Sequence, residues 1–117
     1  MAAAPENAML DAINELGRRV NECLDRLEAR VLAAETNAVA RLVNSRGLWE
    51  HEAIQPLVGV ATNEAIADFP RTVRELRAIS ADRVAELLRL LDQPVDGTPG
   101  DRLERLTRAC GIRVRTF

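Results

Sequence analysis

The sequence predicts an all-α protein, on three observations. The run from Asn7 to Ser45 contains no proline and a single glycine. Apolar residues in it recur at alternating spacings of three and four, the period of a helix face. Each later apolar cluster opens on a hydroxyl residue suited to an N-cap, first Thr72, then Ser80, then Thr98,.

The first segment predicts one helix of roughly 60 Å, at 1.5 Å per residue. Leu10, Gly17, Leu24, Val31 and Ala38 share one heptad position, and Ile13, Val20, Leu27 and Ala34 share another. One coiled-coil-type stripe therefore runs its length. Leu16 and Cys23 lie beside the stripe and broaden it, whereas Gly17, Ala34 and Ala38 contribute little area and permit close approach of backbones. Arg41 ends the pattern. Asn7 is expected as the N-cap, with Asp11 and Glu15 near the positive end of the helix dipole. Asn44, Ser45 and Gly47 supply the stop, so residues 1–47 form a long amphipathic oligomerisation helix,.

Residues 48–70 read as an ordered apolar connector. Pro56, Pro70 and Gly59 break any long helix,. Leu48, Trp49, Ile54, Leu57, Val58, Ile66 and Phe69 are too apolar to be left in water,. An irregular or short-helical strap against the helices is expected, with Trp49 and Phe69 substantially buried. Residues 71–117 then return to helical signals. Thr72 and Glu75 have capping-box spacing ahead of Val73, Leu76 and Ile79,. Ser80 opens a second helix with Val84, Leu87, Leu88 and Leu91 on one side, which Pro94 ends. Thr98 with Pro99 starts a third, carrying Leu103 and Leu106 inward, which Gly111 ends,. The alternation in Ile112-Arg113-Val114-Arg115 predicts a short extended tail.

Composition narrows the chemistry. All 16 basic residues are arginine, and the chain has neither lysine nor tyrosine. Schiff-base catalysis, a phosphate-loop lysine and a tyrosine acid are excluded, leaving one histidine and two cysteines as the groups most easily tuned near neutral pH,. His51 stands in Trp49-Glu50-His51-Glu52, but a metal site needs three or four convergent ligands and no second histidine exists,. Neither a glycine-rich phosphate loop nor a nucleophile turn is present. No catalytic residue, metal or cofactor is expected. Cys23 and Cys110 are read as small apolar fillers. Net charge is −2, so no global field draws the chain to nucleic acid or to anionic lipid,. No window approaches a membrane span, and the start does not read as a signal peptide. A cytoplasmic or nuclear protein is the expectation.

From Ala81 to Cys110 the order of helix, turn and helix resembles the SAP motif, a small module often found in DNA-binding proteins. Leu87, Leu88 and Leu91, then Pro94-Val95-Asp96-Gly97-Thr98, then Leu103, Glu104, Arg105 and Leu106 carry the resemblance. Pro99, Gly100 and Asp101 stand where that pattern carries a basic residue, which favours a structural use of the motif. The stretch from Ala40 to Thr72 is similar to uncharacterised coiled-coil proteins of filamentous fungi.

The stripe is longer than the rest of the chain can cover. A non-catalytic homo-oligomerisation and protein-interaction module is therefore expected, a dimer or small bundle. Its seam comprises Leu10, Ile13, Leu16, Val20, Leu24, Leu27, Val31, Ala34 and Ala38. The alternative is a SAP-like nucleic-acid-binding adaptor using Arg102, Arg105, Arg108, Arg113 and Arg115, a run of five arginines near the end of the chain.

Overall fold

Forty residues, Pro5–Asn44, form the unbroken helix α1 in a computed structural model that describes residues 5–115. Asn7 does not cap it. Pro5 already occupies the first turn, where its missing N–H leaves nothing unsatisfied and its φ is preset for a helix, so Asn7 lies inside,. Glu15, Arg18, Arg19 and Glu22 form a ladder of ion pairs along one side of the first half. The neighbouring Arg18, and after it Arg19, hold the Glu15 carboxyl below its ordinary value. Such exposed pairs add only tenths of a kcal/mol each, so α1 draws little stability from them.

Three short helices follow: α2 (Val73–Ala78), α3 (Ala81–Leu90) and α4 (Pro99–Ala109). Their starts are the hydroxyl caps expected from the sequence. The Thr72, Ser80 and Thr98 side chains accept hydrogen bonds from the backbone N–H groups of Glu75, Arg83 and Asp101 respectively. At α4 the box is reciprocal, because Asp101 accepts from the Thr98 N–H. At α2 the Glu75 carboxylate reaches instead to the N–H of Arg71. Gly111 follows the end of α4 with φ at +71°, the left-handed geometry that closes a helix cheaply only for glycine,.

Between α1 and α2 the chain is a strap without helix. It is held at three isolated β-bridges, pairing Leu48 with Val114, Ala53 with Thr72, and Val58 with Ala65. The Leu48 N–H donates to the Arg113 carbonyl and the Arg115 N–H to the Leu48 carbonyl, both at 2.7 Å, so the extended tail is stitched to the start of the strap. Its far side joins α3, the Val60 N–H donating to the Leu90 carbonyl. Leu48, Ile54 and Leu57 of the strap close over Leu76 of α2, Leu87 and Leu88 of α3, and Leu106 of α4.

These leucines fill the core, which leaves the aromatics at its rim. Trp49 and Phe69 are half-buried, less than expected: Phe69 packs on the outside of the cluster, and the Arg115 guanidinium lies over the Trp49 ring at 5.9 Å. The strap, α2–α4 and the tail thus make a compact cap on the C-terminal third of α1. N-terminal to Ala29, every described residue of α1 is exposed except the half-exposed Glu15. About 36 Å of helix projects from the cap, at 1.5 Å per residue, and the molecule measures 79 Å along its longest axis.

Candidate interaction surface

Two faces of α1 have different work. The face toward the cap carries Ala33, Asn37, Ala40 and Asn44, all buried, at spacings of four, three and four. The two asparagines treat the strap as a neighbouring strand. Asn37 donates from Nδ2 to the Val58 carbonyl at 3.0 Å and accepts at Oδ1 from the Val58 N–H at 2.8 Å. Asn44 makes the same exchange with Gln55, donating at 3.0 Å and accepting at 2.8 Å, and donates also to the Cys110 carbonyl at 2.9 Å. The spacing has a geometric cause. Seven helical residues rise about 10.5 Å, and three extended residues span about 10 Å, so asparagines two turns apart meet strap residues three apart. Ala40 between them, and Ala33 one turn before Asn37, let the strap approach closely. Nearby the Arg41 Nε donates to the Ala109 carbonyl at 2.7 Å. A Cβ built on Gly111 would stand 2.7 Å from the Arg41 Cα. The sequence does not disclose this joint, because Asn37 carries no apolar or capping signal and Asn44 reads only as a helix stop.

The other face is the stripe. At 100° per residue its mean direction lies about 140° around the axis from that of the buried face. Leu10, Ile13, Leu16, Val20, Leu24, Leu27 and Val31 are each 47–62% exposed, and Ala34 and Ala38 are exposed with them. The stripe therefore does not pack on the chain's own cap. Two further residues extend it. Met9 precedes Leu10 on the flank shared by Leu16 and Cys23, and Leu42, 73% exposed, continues it past Ala38; the same heptad count identifies both. The Glu15–Arg18–Glu22 ladder lies in the sector away from the stripe, so charge and apolar surface are segregated along the projecting arm,.

The two cysteines differ. Cys110 is buried, and burial pushes its thiol up to about 12 against a smaller opposing influence of Arg41. Cys23 is exposed on the flank of the stripe and fills nothing within the chain, contrary to expectation: the arm has no intramolecular neighbour there.

The C-terminal arginines are divided between two places. Arg105 and Arg108 border one shallow depression together with Asp101 and Glu104. Arg105 donates to the Pro94 and Asp96 carbonyls at 2.9 and 2.8 Å, fastening the turn between α3 and α4, and Arg108 pairs with Glu104 at 2.9 Å. Arg102 is half-buried, its Nε without a partner, and Arg113 is exposed. Arg115 lies instead beside Trp49, His51, Arg74 and Arg77 at the seam between strap and tail. His51 itself is exposed, and Glu50 next to it pairs with Arg77 at 2.5 Å. Among the described residues no group of three or more histidine, cysteine or acidic side chains is placed to hold a metal ion, and no helix is long and apolar enough to cross a membrane. No protein-family model, curated protein or solved structure matches the chain.

Proposed function

We propose that α1 is a non-catalytic homo-oligomerisation element: its stripe takes the stripe of a second copy, while the cap grips the helix by the opposite face. One observation carries the reading. Seven large aliphatic side chains stand in line, half in water, along a helix that the chain's own cap covers only from Ala33 to Asn44 and on another face. Monomers seldom leave so continuous an apolar strip uncovered.

The amount of surface fits a pair. Each of these side chains has about half of its burial still to gain, about 1 kcal/mol where complete burial contributes 1.5–3. Seven from each helix give about 14 kcal/mol. Set against an association cost of about 4–15 kcal/mol, this gain holds a pair together over most of that range. The occupant of the stripe is a second copy because the segregation of charge away from it presents a seam that any identical arm can match. In this reading the cap braces the helix and presents its own outer surface to other proteins. Nucleic-acid binding by a SAP-like α3–α4 pair is less well supported, since Arg105 is occupied by the turn and Arg108 by Glu104.

Light scattering at micromolar concentration tests the proposal. The wild type should give the mass of a dimer or small bundle, and Leu24→Asp with Leu27→Asp should give a monomer, because burying unpaired charge in the seam is costly. Neither residue touches the cap, so the Trp49 emission of the variant should match the wild type. A wild-type monomer throughout that range would refute the reading.

A further inference from the structure

We infer that two α1 helices pair antiparallel, in the register that sets Leu10 against the partner's Ala34, Ile13 against the partner's Val31, Gly17 against the partner's Leu27 and Val20 against the partner's Leu24. The inference rests on the oligomerisation reading and supplies its geometry. Its basis is the uneven size of the exposed seam residues, since close packing asks each layer for a similar total volume.

A parallel pair in register stacks every residue on its own copy. Gly17 then meets Gly17, Ala34 meets Ala34 and Ala38 meets Ala38, leaving layers almost without side chains, and Arg41 faces Arg41. The antiparallel register matches small to large instead. Gly17 receives a leucine, Ala34 receives a leucine, and the intermediate valines and isoleucine meet one another or a leucine. Neighbouring antiparallel registers do worse. A shift of one heptad in one direction carries Glu6, which in the inferred register meets the partner's Ala38 at the edge of the seam, inward onto Val31. The opposite shift sets Gly17 against Ala34 and Leu10 against Arg41.

The flanks agree. In the inferred register Cys23 of each chain lies beside the twofold axis, Asn21 faces Asn21 on the other side, and Leu16 lies along the aliphatic stem of Arg30. The parallel arrangement offers one attraction, an Arg30–Glu35 pair between chains. Arg30 is already drawn 3.3 Å from Asp92 of its own cap, and an exposed ion pair contributes little,. Because the cap grips α1 about 140° from the seam, the antiparallel pair carries one cap toward each end.

Disulfide trapping in the full chain tests the register. In a Cys23→Ser background, Leu10→Cys and Ala34→Cys are made as separate proteins, with Cys110 left in place because it is buried. Mixed and oxidised, they should cross-link to each other at least about tenfold faster than either does alone, since thiols beyond disulfide reach do not join without backbone movement. Light scattering on each variant establishes association independently. Dimers in which each variant cross-links to itself and the mixture gains nothing would overturn the antiparallel register while leaving oligomerisation standing. Dimers that cross-link in neither way would overturn the register as well. Absence of dimers in wild type and variants alike would overturn both.

Discussion

Asn44 is the residue on which the joint between helix and cap depends, and its replacement is the sharpest perturbation of this fold. Its side chain is fully buried and makes three hydrogen bonds, two with Gln55 of the strap and one to the carbonyl of Cys110 at the end of α4. Asn44→Ala strands all of them. A buried group left unpaired costs about 1–3 kcal/mol. Water can reach the exposed Gln55 but not the buried Cys110 carbonyl, so a total of about 3 kcal/mol follows. For a cap of this size each kcal/mol lowers the midpoint of melting by about 4–8 °C, giving a fall of about 12–24 °C. Asn44→Asp is a finer probe. It keeps an acceptor for the Gln55 N–H but turns a second oxygen toward two carbonyl oxygens, so the folded state disfavours the charge and raises the carboxyl above its unfolded value. A raised acid contributes its full stability only below the unfolded value and loses it as the pH rises from there. Asn44→Asp should therefore lie closer to wild type near pH 4 than near pH 7, whereas the deficit of Asn44→Ala should not depend on pH. Urea unfolding followed by Trp49, the one tryptophan, reads the cap directly. An Asn44→Ala variant within about 0.5 kcal/mol of wild type, the range of an inert surface change, would refute the reasoning.

Other outcomes are accessible to simple assays. With a thiol reagent at pH 8 the native protein should report one reactive thiol, Cys23, and two after denaturation, because burial holds the Cys110 thiol up at about 12; two fast thiols in the native state would contradict the buried setting of Cys110. Gly111→Ala should lower stability by at least about 1–3 kcal/mol in a thermal melt, from a left-handed backbone that disfavours a Cβ and a clash with the Arg41 backbone,. Duplex DNA should bind weakly at physiological salt in fluorescence anisotropy. Each phosphate contact contributes about 0.9 to the slope of log affinity against log salt, and a slope near 3 that vanishes on replacing Arg102, Arg105 and Arg108 would restore the nucleic-acid reading.

The helix starts and stops were legible because capping is local chemistry. Thr72, Ser80, Thr98 with Pro99, and Gly111 each announce a boundary within three or four residues of the backbone groups they satisfy. The stripe was legible for a similar reason, since a period of 3.5 is visible without knowing what covers it. The joint was not legible. Ala33, Asn37, Ala40 and Asn44 carry no apolar signal, and the asparagines bond to backbone atoms of Gln55 and Val58, which look alike in every residue of every sequence. Cys23 failed for the complementary reason. Its character as a filler requires neighbours, and the arm that carries it projects beyond the cap.

The choice of asparagine for the cap face bears on the stripe. A helix with apolar residues on both faces has two comparable ways to dock on one cap, and a rotation of about 140° would exchange them. The asparagines remove that ambiguity. The strap presents the N–H and carbonyl groups of Val58 and Gln55 to α1, and only a side chain with both donor and acceptor satisfies them,. Val31, Ala34, Ala38 and Leu42, the stripe residues level with the cap, would leave those groups without their partners if turned toward the strap, at a cost greatest at Val58, which is less exposed than Gln55,. Polar burial on one side thus fixes which way α1 faces on the cap, and with it the direction in which the stripe runs out along the arm. The leucines of the stripe are exposed for a separate reason, since Leu10 to Leu27 lie on the arm that projects beyond the cap, and a partner for them can bind without competing against the chain's own cap.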